Sequence, residues 1–463
     1  MPTPRAHRQT SLGKLNPPRL GRVFDRERLF GLMDATATVP GLWIAGPPGM
    51  GKTTLVATYL QRTATPCLWL QLDAGDADAA SFAHYLAQAA LPLAGRRKIQ
   101  FASPSADDLR HGPTFIRRCL RQLPLALGAD WTLVLDNVQD LGHASALHEG
   151  LAASLAELPG GVRLIAVSRE PPPDAYARAL GSQQLVLIES EDLRFTDDET
   201  SRLVSLHGRA WQPTALREAT DGWAAAMILM LATRSNLDES TALHGSTSRE
   251  RLFAFFAGEV LQKMSPPNAD ALMRIAFLPS ATAAMASAIS ANAAAGDLLA
   301  DLARRSLFTD RRDATPPTYT FHALFGEFLR ARAAATLDAP ALRALRIRSA
   351  GILAQAGQAD AAVAQLIDAS AWAEAFELIC QHAGQMLAQG RITLVRDWVL
   401  ALPPLHGSTA QSQYWLGCCE LAVNPTKALQ HLELAHTGFE AAGDARGAFC
   451  AACAAADAII FQG

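Results

Sequence analysis

The sequence predicts a multidomain chain: an α/β phosphate-loop domain, then helical domains, then stacked helical hairpins of the α-solenoid type. Three observations predict it. The run Gly46-Pro-Pro-Gly-Met-Gly51-Lys52-Thr53 sits between an apolar stretch and a helix-compatible one. Short apolar runs alternate with helical patterns between residues 41 and 190, and beyond residue 340 the Ala- and Leu-rich helical patterning carries no strand signal. At 463 residues the chain is too long for a single core, and about 150 residues per domain gives about three.

The first element is the strand Gly41-Leu-Trp-Ile-Ala45, followed by the glycine-rich loop and the helical run Thr54-Leu-Val-Ala-Thr-Tyr-Leu60. Strand, loop and helix in that order are the context a phosphate loop needs, and a Gly/Pro-rich turn is the plainer alternative. Glycines 46, 49 and 51 let successive N–H groups and the helix N-terminus point at an anion. In such a loop Lys52 reaches the β- and γ-phosphates, the Thr53 hydroxyl ligates magnesium, and Thr54 is counted with them among the nucleotide-binding residues.

Further strands follow at 67–72, 131–135, 162–167 and 184–188, which together predict a mainly parallel sheet covered by helices. Ligands in such sheets lie beyond the carboxyl ends of the strands, where the loop falls. Asp136 ends the apolar run Trp131-Thr-Leu-Val-Leu135 and is placed to hold magnesium; a turn carboxylate is the alternative. The next residue is Asn137, whose amide orients water but accepts no proton, so slow ATP hydrolysis at most is expected. Arg169 follows the strand at 162–167 and is read as a γ-phosphate sensor, against a plain surface arginine.

After Thr196 the strand signal fades. Thr196 with Glu199 forms a capping-box pattern that opens a helical pair ending near Asp221-Gly-Trp223, and a polar stretch near 236–248 reads as a linker. From 251 to 335 the chain again reads as helical, closing with Tyr319-Thr-Phe-His322-Ala-Leu-Phe. A lone histidine among apolar residues is usually a core residue, and pattern alone assigns His322 there. Gly357 and Gly443 each divide a helix, Gly-turn, helix rhythm in the final region.

Forty-one basic and forty-four acidic side chains leave a net charge of -3, so no global field draws the chain to nucleic acid or anionic lipid. No apolar stretch approaches the ~20 residues of a membrane span, which gives the expectation of a cytoplasmic protein. Seven cysteines in apolar surroundings read as reduced core residues, the Cys450/Cys453 pair included.

The ordered set of motifs resembles the STAND class of signal-transducing ATPases, and within it the MalT kind of ATP-dependent transcriptional activator. The matching segments are Arg26-Glu-Arg-Leu29, Trp69-Leu-Gln-Leu-Asp73, Leu133-Val-Leu-Asp136, Ser168-Arg169-Glu-Pro, Asp192-Leu-Arg-Phe195, Gly222-Trp223-Ala224 and Phe321-His322-Ala-Leu-Phe. Residues 1–20, unpatterned and bearing Pro and Arg, read as a flexible arm; the resemblance implies a nucleotide-binding domain over 21–195 and a small helical domain over 196–248. It further implies a winged-helix domain over 249–338 and incomplete tetratricopeptide-like repeats over 339–463. It also implies that ATP or ADP with Mg2+ is the cofactor and that His322 contacts the β-phosphate. Arg22, Val23 and Phe24 would approach the adenine, and Gly222 and Trp223 would close the pocket. An inducer or protein partner on the repeats and nucleotide-dependent self-association belong to the same picture. The LuxR-type helix-turn-helix of that kind of activator is not found before Gly463, so no specific DNA binding by this chain is expected. Two other function classes fit the phosphate loop and repeats. One is a kinase or motor ATPase, marked by fast turnover; the other is a constitutive repeat scaffold, marked by partner affinity insensitive to Lys52→Ala.

Overall fold

The computed structural model describes residues 12–20, 23–95, 101, 112–143, 145–206, 212–233, 258, 261–262, 264–304 and 308–460. The expected linker at 236–248 lies outside them. The chain divides into two compact units. One comprises Met1–Leu72, Ala129–Gln139 and Leu158–Ala339, and the other Asp73–Gly128, Asp140–Glu157 and Pro340–Gly463.

The first unit contains two sheets. Its strands in chain order are β1 (Pro18–Arg19), β2 (Gly41–Ala45), β3 (Cys67–Gln71), β4 (Trp131–Asp136), β5 (Val162–Ser168), β6 (Leu185–Ile188), β7 (Ala281–Thr282), β8 (Thr309–Arg312) and β9 (Thr318–Phe321). Five of them form a sheet in the order β3-β4-β5-β2-β6, with every neighbouring pair parallel. Each residue of β2, β4 and β5 is buried, which explains why these strands read as unbroken apolar runs rather than as alternation. The predicted strand limits and the observed ones differ by at most one residue.

Register gathers the site. Ala45 pairs with Ser168 and Asp136 with Val167, so the residues after β2, β4 and β5 emerge along one edge of the sheet. The helix Asp197–Leu206 opens with the predicted capping box: Glu199 N–H donates to Thr196 Oγ1 at 3.3 Å and Thr196 N–H to Glu199 Oε2 at 3.0 Å.

The second sheet, β1-β8-β9-β7, is antiparallel and corrects the helical reading of 251–335. The helices Pro266–Ile275, Ala283–Ser290 and Ala295–Arg304 precede a β8–β9 hairpin, and only Ala323–Thr336 returns to helix. β8 is the polar tetrapeptide Thr-Asp-Arg-Arg, which carries no apolar alternation to betray it. The described part of the expected arm is likewise structured: Pro18 pairs with Arg312 and Arg19 with Arg311.

In the second unit the helices Ala339–Gln355, Ala359–Asp368, Trp372–Ala388, Ile392–Leu400, Ala410–Glu420, Pro425–Ala441 and Ala445–Ile460 run as successive hairpins. Gly357 and Gly443, both at positive φ, turn the chain where the rhythm predicts. Small residues set the core here: Ala428 and Leu432 meet Ala454 and Ala458, and Ala435 and Phe439 meet Ala448 and Ala451. None of the seven cysteines forms a disulfide, but Cys450 and Cys453 are exposed on the helix Ala445–Ile460 rather than in the core. Among the described residues no helix is long and apolar enough to cross a membrane.

Candidate functional site

The turn after β2 is held by both its glycines and its neighbours. Gly49 and Gly51 have φ of 79° and 82°, the left-handed region that costs glycine little. A Cβ on Gly49 would stand 2.7 Å from Ala225 Cβ and 2.8 Å from Trp223 Nε1, so the backbone approaches closely here. Trp223 Nε1 donates to Pro48 O at 3.1 Å and Ala225 N–H to Gly49 O at 3.0 Å. Trp223 and Ala225 thereby brace the loop from the start of the helix Ala224–Thr233, while Gly222 O accepts from Phe195 N–H at 2.9 Å instead of touching the loop.

Lys52 begins the helix Lys52–Thr63 and is buried. Its ammonium donates to Gly46 O at 2.5 Å and Pro47 O at 3.0 Å. Burial pulls its pKa down to about 8; Asp136 opposes that shift and Arg169 adds to it. Thr53 Oγ1 donates to Asp136 Oδ1 at 3.1 Å, while Thr54 sits half-buried in the same turn. Asp136 is 2% exposed, and burial lifts its carboxyl to about 6 against the opposing charge of Arg312 and the Thr53 hydrogen bond.

Arg169 donates its backbone N–H to Gln139 Oε1 at 3.0 Å, and its guanidinium reaches Glu327 Oε1 at 3.4 Å. The pair is well exposed and worth little on its own. Its partner lies on the helix Ala323–Thr336, so the arginine spans the two sheets of the unit.

His322 follows β9. Its N–H donates to Phe308 O at 2.8 Å, but its Nδ1 is buried with no hydrogen-bond partner. Burial, then the charges of Lys52 and Arg169, press its pKa down to about 4. A solitary core histidine would satisfy that nitrogen; this one leaves a buried polar atom unused, in the field of two cations.

Val23 is half-buried and Phe24 lies 5.8 Å from Phe195, ring centre to ring centre. Arg22 lies outside the described residues. Sequence reasoning missed the group behind Phe195. Arg26, 7% exposed, stacks on that ring at 3.9 Å and pairs with Glu199 at 3.0 Å. It also donates to Leu193 O and Arg194 O. The capping box gives a signal for Glu199 but none for its ionic partner. Asp310 and Arg312 were missed as well.

The arrangement fits an anion and a divalent cation. Two left-handed glycines, a buried ammonium and an orphan imidazole nitrogen meet an anion's needs; a hydroxyl touching a buried carboxylate is an oxygen donor set for a hard cation.

Comparison with known proteins fits this geometry. A family described as MalT winged helix domain matches residues 257–341. The HTH-type transcriptional regulator MalT of Serratia proteamaculans (strain 568) is 27% identical over 401 residues, covering 84% of this chain and 43% of that protein. The regulator of the same name from Cronobacter sakazakii (strain ATCC BAA-894) is 26% identical over 407 residues, covering 84% and 44%. The chain therefore spans less than half the length of these curated relatives. A crystal structure of a STAND protein with a tetratricopeptide repeat sensor from Pyrococcus horikoshii superposes with a TM-score of 0.66 at 14% identity, covering 98% of this chain and 66% of that one. The similarity shows a shared multidomain fold with a winged helix and helical repeats.

The winged-helix match corrects two expectations. The sequence reading treats the chain as lacking the C-terminal LuxR-type helix-turn-helix, takes the winged helix expected over 249–338 as an internal nucleotide gate, and hence expects no specific DNA binding. A winged helix is a helix-turn-helix fold, and residues 257–341 match one. Neither expectation stands.

Proposed function

We infer that the chain is a signal-transduction regulator of the STAND, MalT-like class, a reading its similarity to those proteins supports. We propose that it works as an ATP/ADP-switched regulator of that kind. Lys52 pairs with the β- and γ-phosphates, backbone N–H groups of Gly49 and Gly51 cradle them, and Arg169 meets the γ-phosphate. Thr53 and Asp136 hold Mg2+, which when bound supplies positive charge to the phosphate oxygens. His322 brings the winged helix onto the β-phosphate, and Val23 and Phe24 border the adenine. Which nucleotide is bound then biases the chain between a closed and a self-associating form, with an inducer on the repeats shifting the same equilibrium. Transcription is the output that the names of the relatives ascribe to those proteins, and we extend it to this chain as part of the proposal.

The observation that carries the reading is His322 Nδ1, buried without a partner in the field of Lys52 and Arg169. An anion between those groups gives the nitrogen a partner and the two cations a counter-charge. Hydrolysis is slow in this reading, because Asn137 has no base to offer. Calorimetry with ADP and with a non-hydrolysable ATP analogue, each with magnesium, is the test; retention of neither by folded protein ends the proposal. Sedimentation in the two nucleotides then reads self-association.

A further inference from the structure

The helix Ala323–Thr336 lies inside the winged-helix match and meets the loop after β5 through an ion pair. Arg169 Nη1 and Nη2 both donate to Glu327 Oε1, at 3.5 and 3.4 Å. Among the described residues neither side chain makes another ion pair. The backbone of Arg169 is fixed independently of this contact: its N–H donates to Gln139 Oε1 at 3.0 Å, and Glu170 N–H donates to Ser168 Oγ at 3.1 Å. The Glu327 carboxylate therefore decides where the guanidinium points, while the sheet edge decides where it starts.

Such a contact is easily exchanged. Both donors converge on a single oxygen at the long limit of a hydrogen bond, so the planar fork of the guanidinium is not matched by two acceptors. The two side chains are 36% and 50% exposed, and pairs of that kind hold weakly. A terminal phosphate brings several oxygens and more charge than a carboxylate, and it fits the fork better. His322 stands at the N-cap of the same helix, five residues before Glu327, with its Nδ1 buried and without a partner. One helix thus carries a nitrogen suited to a phosphate and an acid that resembles one.

We propose that Glu327 is the residue by which the site distinguishes a nucleoside triphosphate from a diphosphate: its carboxylate stands in for the third phosphate at Arg169, so that a triphosphate must displace it and a diphosphate need not. The inference rests on the nucleotide-switch reading, in which Arg169 meets the γ-phosphate, and names the group that sets the preference. With diphosphate bound, the helix is held at both His322 and Glu327. With triphosphate bound, Arg169 turns to the phosphate and the helix keeps only the contact of His322. A carboxylate left beside the γ-phosphate also repels it, which acts in the same direction. The count of phosphates becomes a count of tethers on the winged-helix domain.

The test is the affinity of the full chain for ADP and for a non-hydrolysable ATP analogue, both with Mg2+, measured by calorimetry for wild type, Glu327→Gln, Arg169→Gln and the double variant. The readout is the ratio of triphosphate to diphosphate affinity. Glu327→Gln raises that ratio about fivefold, the scale of one exposed ion pair. Adding Glu327→Gln to Arg169→Gln changes the ratio by less than about twofold, because the effect passes through the arginine. A ratio in Glu327→Gln within about twofold of wild type, or below it, overturns the proposal, and so does an equal rise with and without Arg169. Failure of wild type to retain either nucleotide instead removes the reading on which the inference stands. Amide exchange gives a second readout that needs no variant: protection of residues 323–336 is lower with the triphosphate analogue than with ADP, and equal protection contradicts the loss of a tether.

Discussion

Thr53 Oγ1 donates to Asp136 Oδ1 across 3.1 Å, joining the first turn of one helix to the last residue of β4. Parallel register puts both at the same edge of the sheet, so a short side chain and a short carboxylate meet without distorting either strand or helix.

Burial of that carboxylate gives the first prediction. The folded pKa is raised from 3.8 to about 6, so the native state holds a proton that the unfolded chain has lost between those values. Its contribution is present below pH 4 and disappears as pH rises through about 6. Asp136→Asn keeps the hydrogen-bond acceptor for Thr53 and removes the charge. The stability difference between variant and wild type, from denaturant melts, therefore grows in the variant's favour by about 3 kcal/mol from pH 4 to pH 7.

His322 gives a prediction of opposite sign. Its folded pKa is lowered from 6.5 to about 4, so it opposes folding as pH falls through that window. An anion at Nδ1 reverses the field and raises the pKa again. Binding of ADP at pH 5.5 is therefore accompanied by proton uptake, measured by calorimetry in buffers of different ionisation enthalpy. His322→Asn lowers that uptake by a large fraction of one proton.

The lysine is tested most directly through affinity. Lys52→Ala removes a buried ammonium and charge-assisted hydrogen bonds worth about 1.5–3 kcal/mol, so nucleotide affinity falls about 10- to 100-fold. Equilibrium dialysis checks it, and far-ultraviolet circular dichroism stays as in wild type.

At Gly49 the expected effect is structural first. An added methyl meets Ala225 and Trp223 inside van der Waals distance, at a φ of 79°. Gly49→Ala costs about 1–3 kcal/mol and lowers the melting temperature, whereas Gly31→Ala, where nothing lies within 4 Å of the new methyl, does not.

Among the described residues of the first unit, the Arg26–Glu199 pair, with side chains 8% and 5% exposed, is the best-buried ion pair. Glu199→Gln leaves a buried guanidinium uncompensated and destabilises by about 3–5 kcal/mol. A double-mutant cycle with Arg26→Met recovers much of that loss, because the stranded charge goes with it.

Much of this was legible beforehand, for a physical reason. Strands β2, β4 and β5 are covered on both faces and so are apolar at every position, and the glycine spacing of the loop follows from backbone conformations that other residues resist. The antiparallel sheet was illegible because β8 turns polar side chains inward: Arg312 is 1% exposed and takes its acceptors from Gly13 and Asn16, about 300 positions away. Arg26 shows the same limit: its carboxylate lies 173 positions away, beyond any local pattern. His322 was half legible: its apolar neighbours point to the core, whereas the residue is half-buried and its Nδ1 is left over.

The two-residue strand β1 has a consequence for association. By lying along β8 it occupies backbone donors and acceptors that an antiparallel sheet otherwise offers to any passing chain. A strand pairing directly with β8 on that side would have to displace Pro18 and Arg19, and the edge it meets instead is a dipeptide whose proline has no N–H to offer.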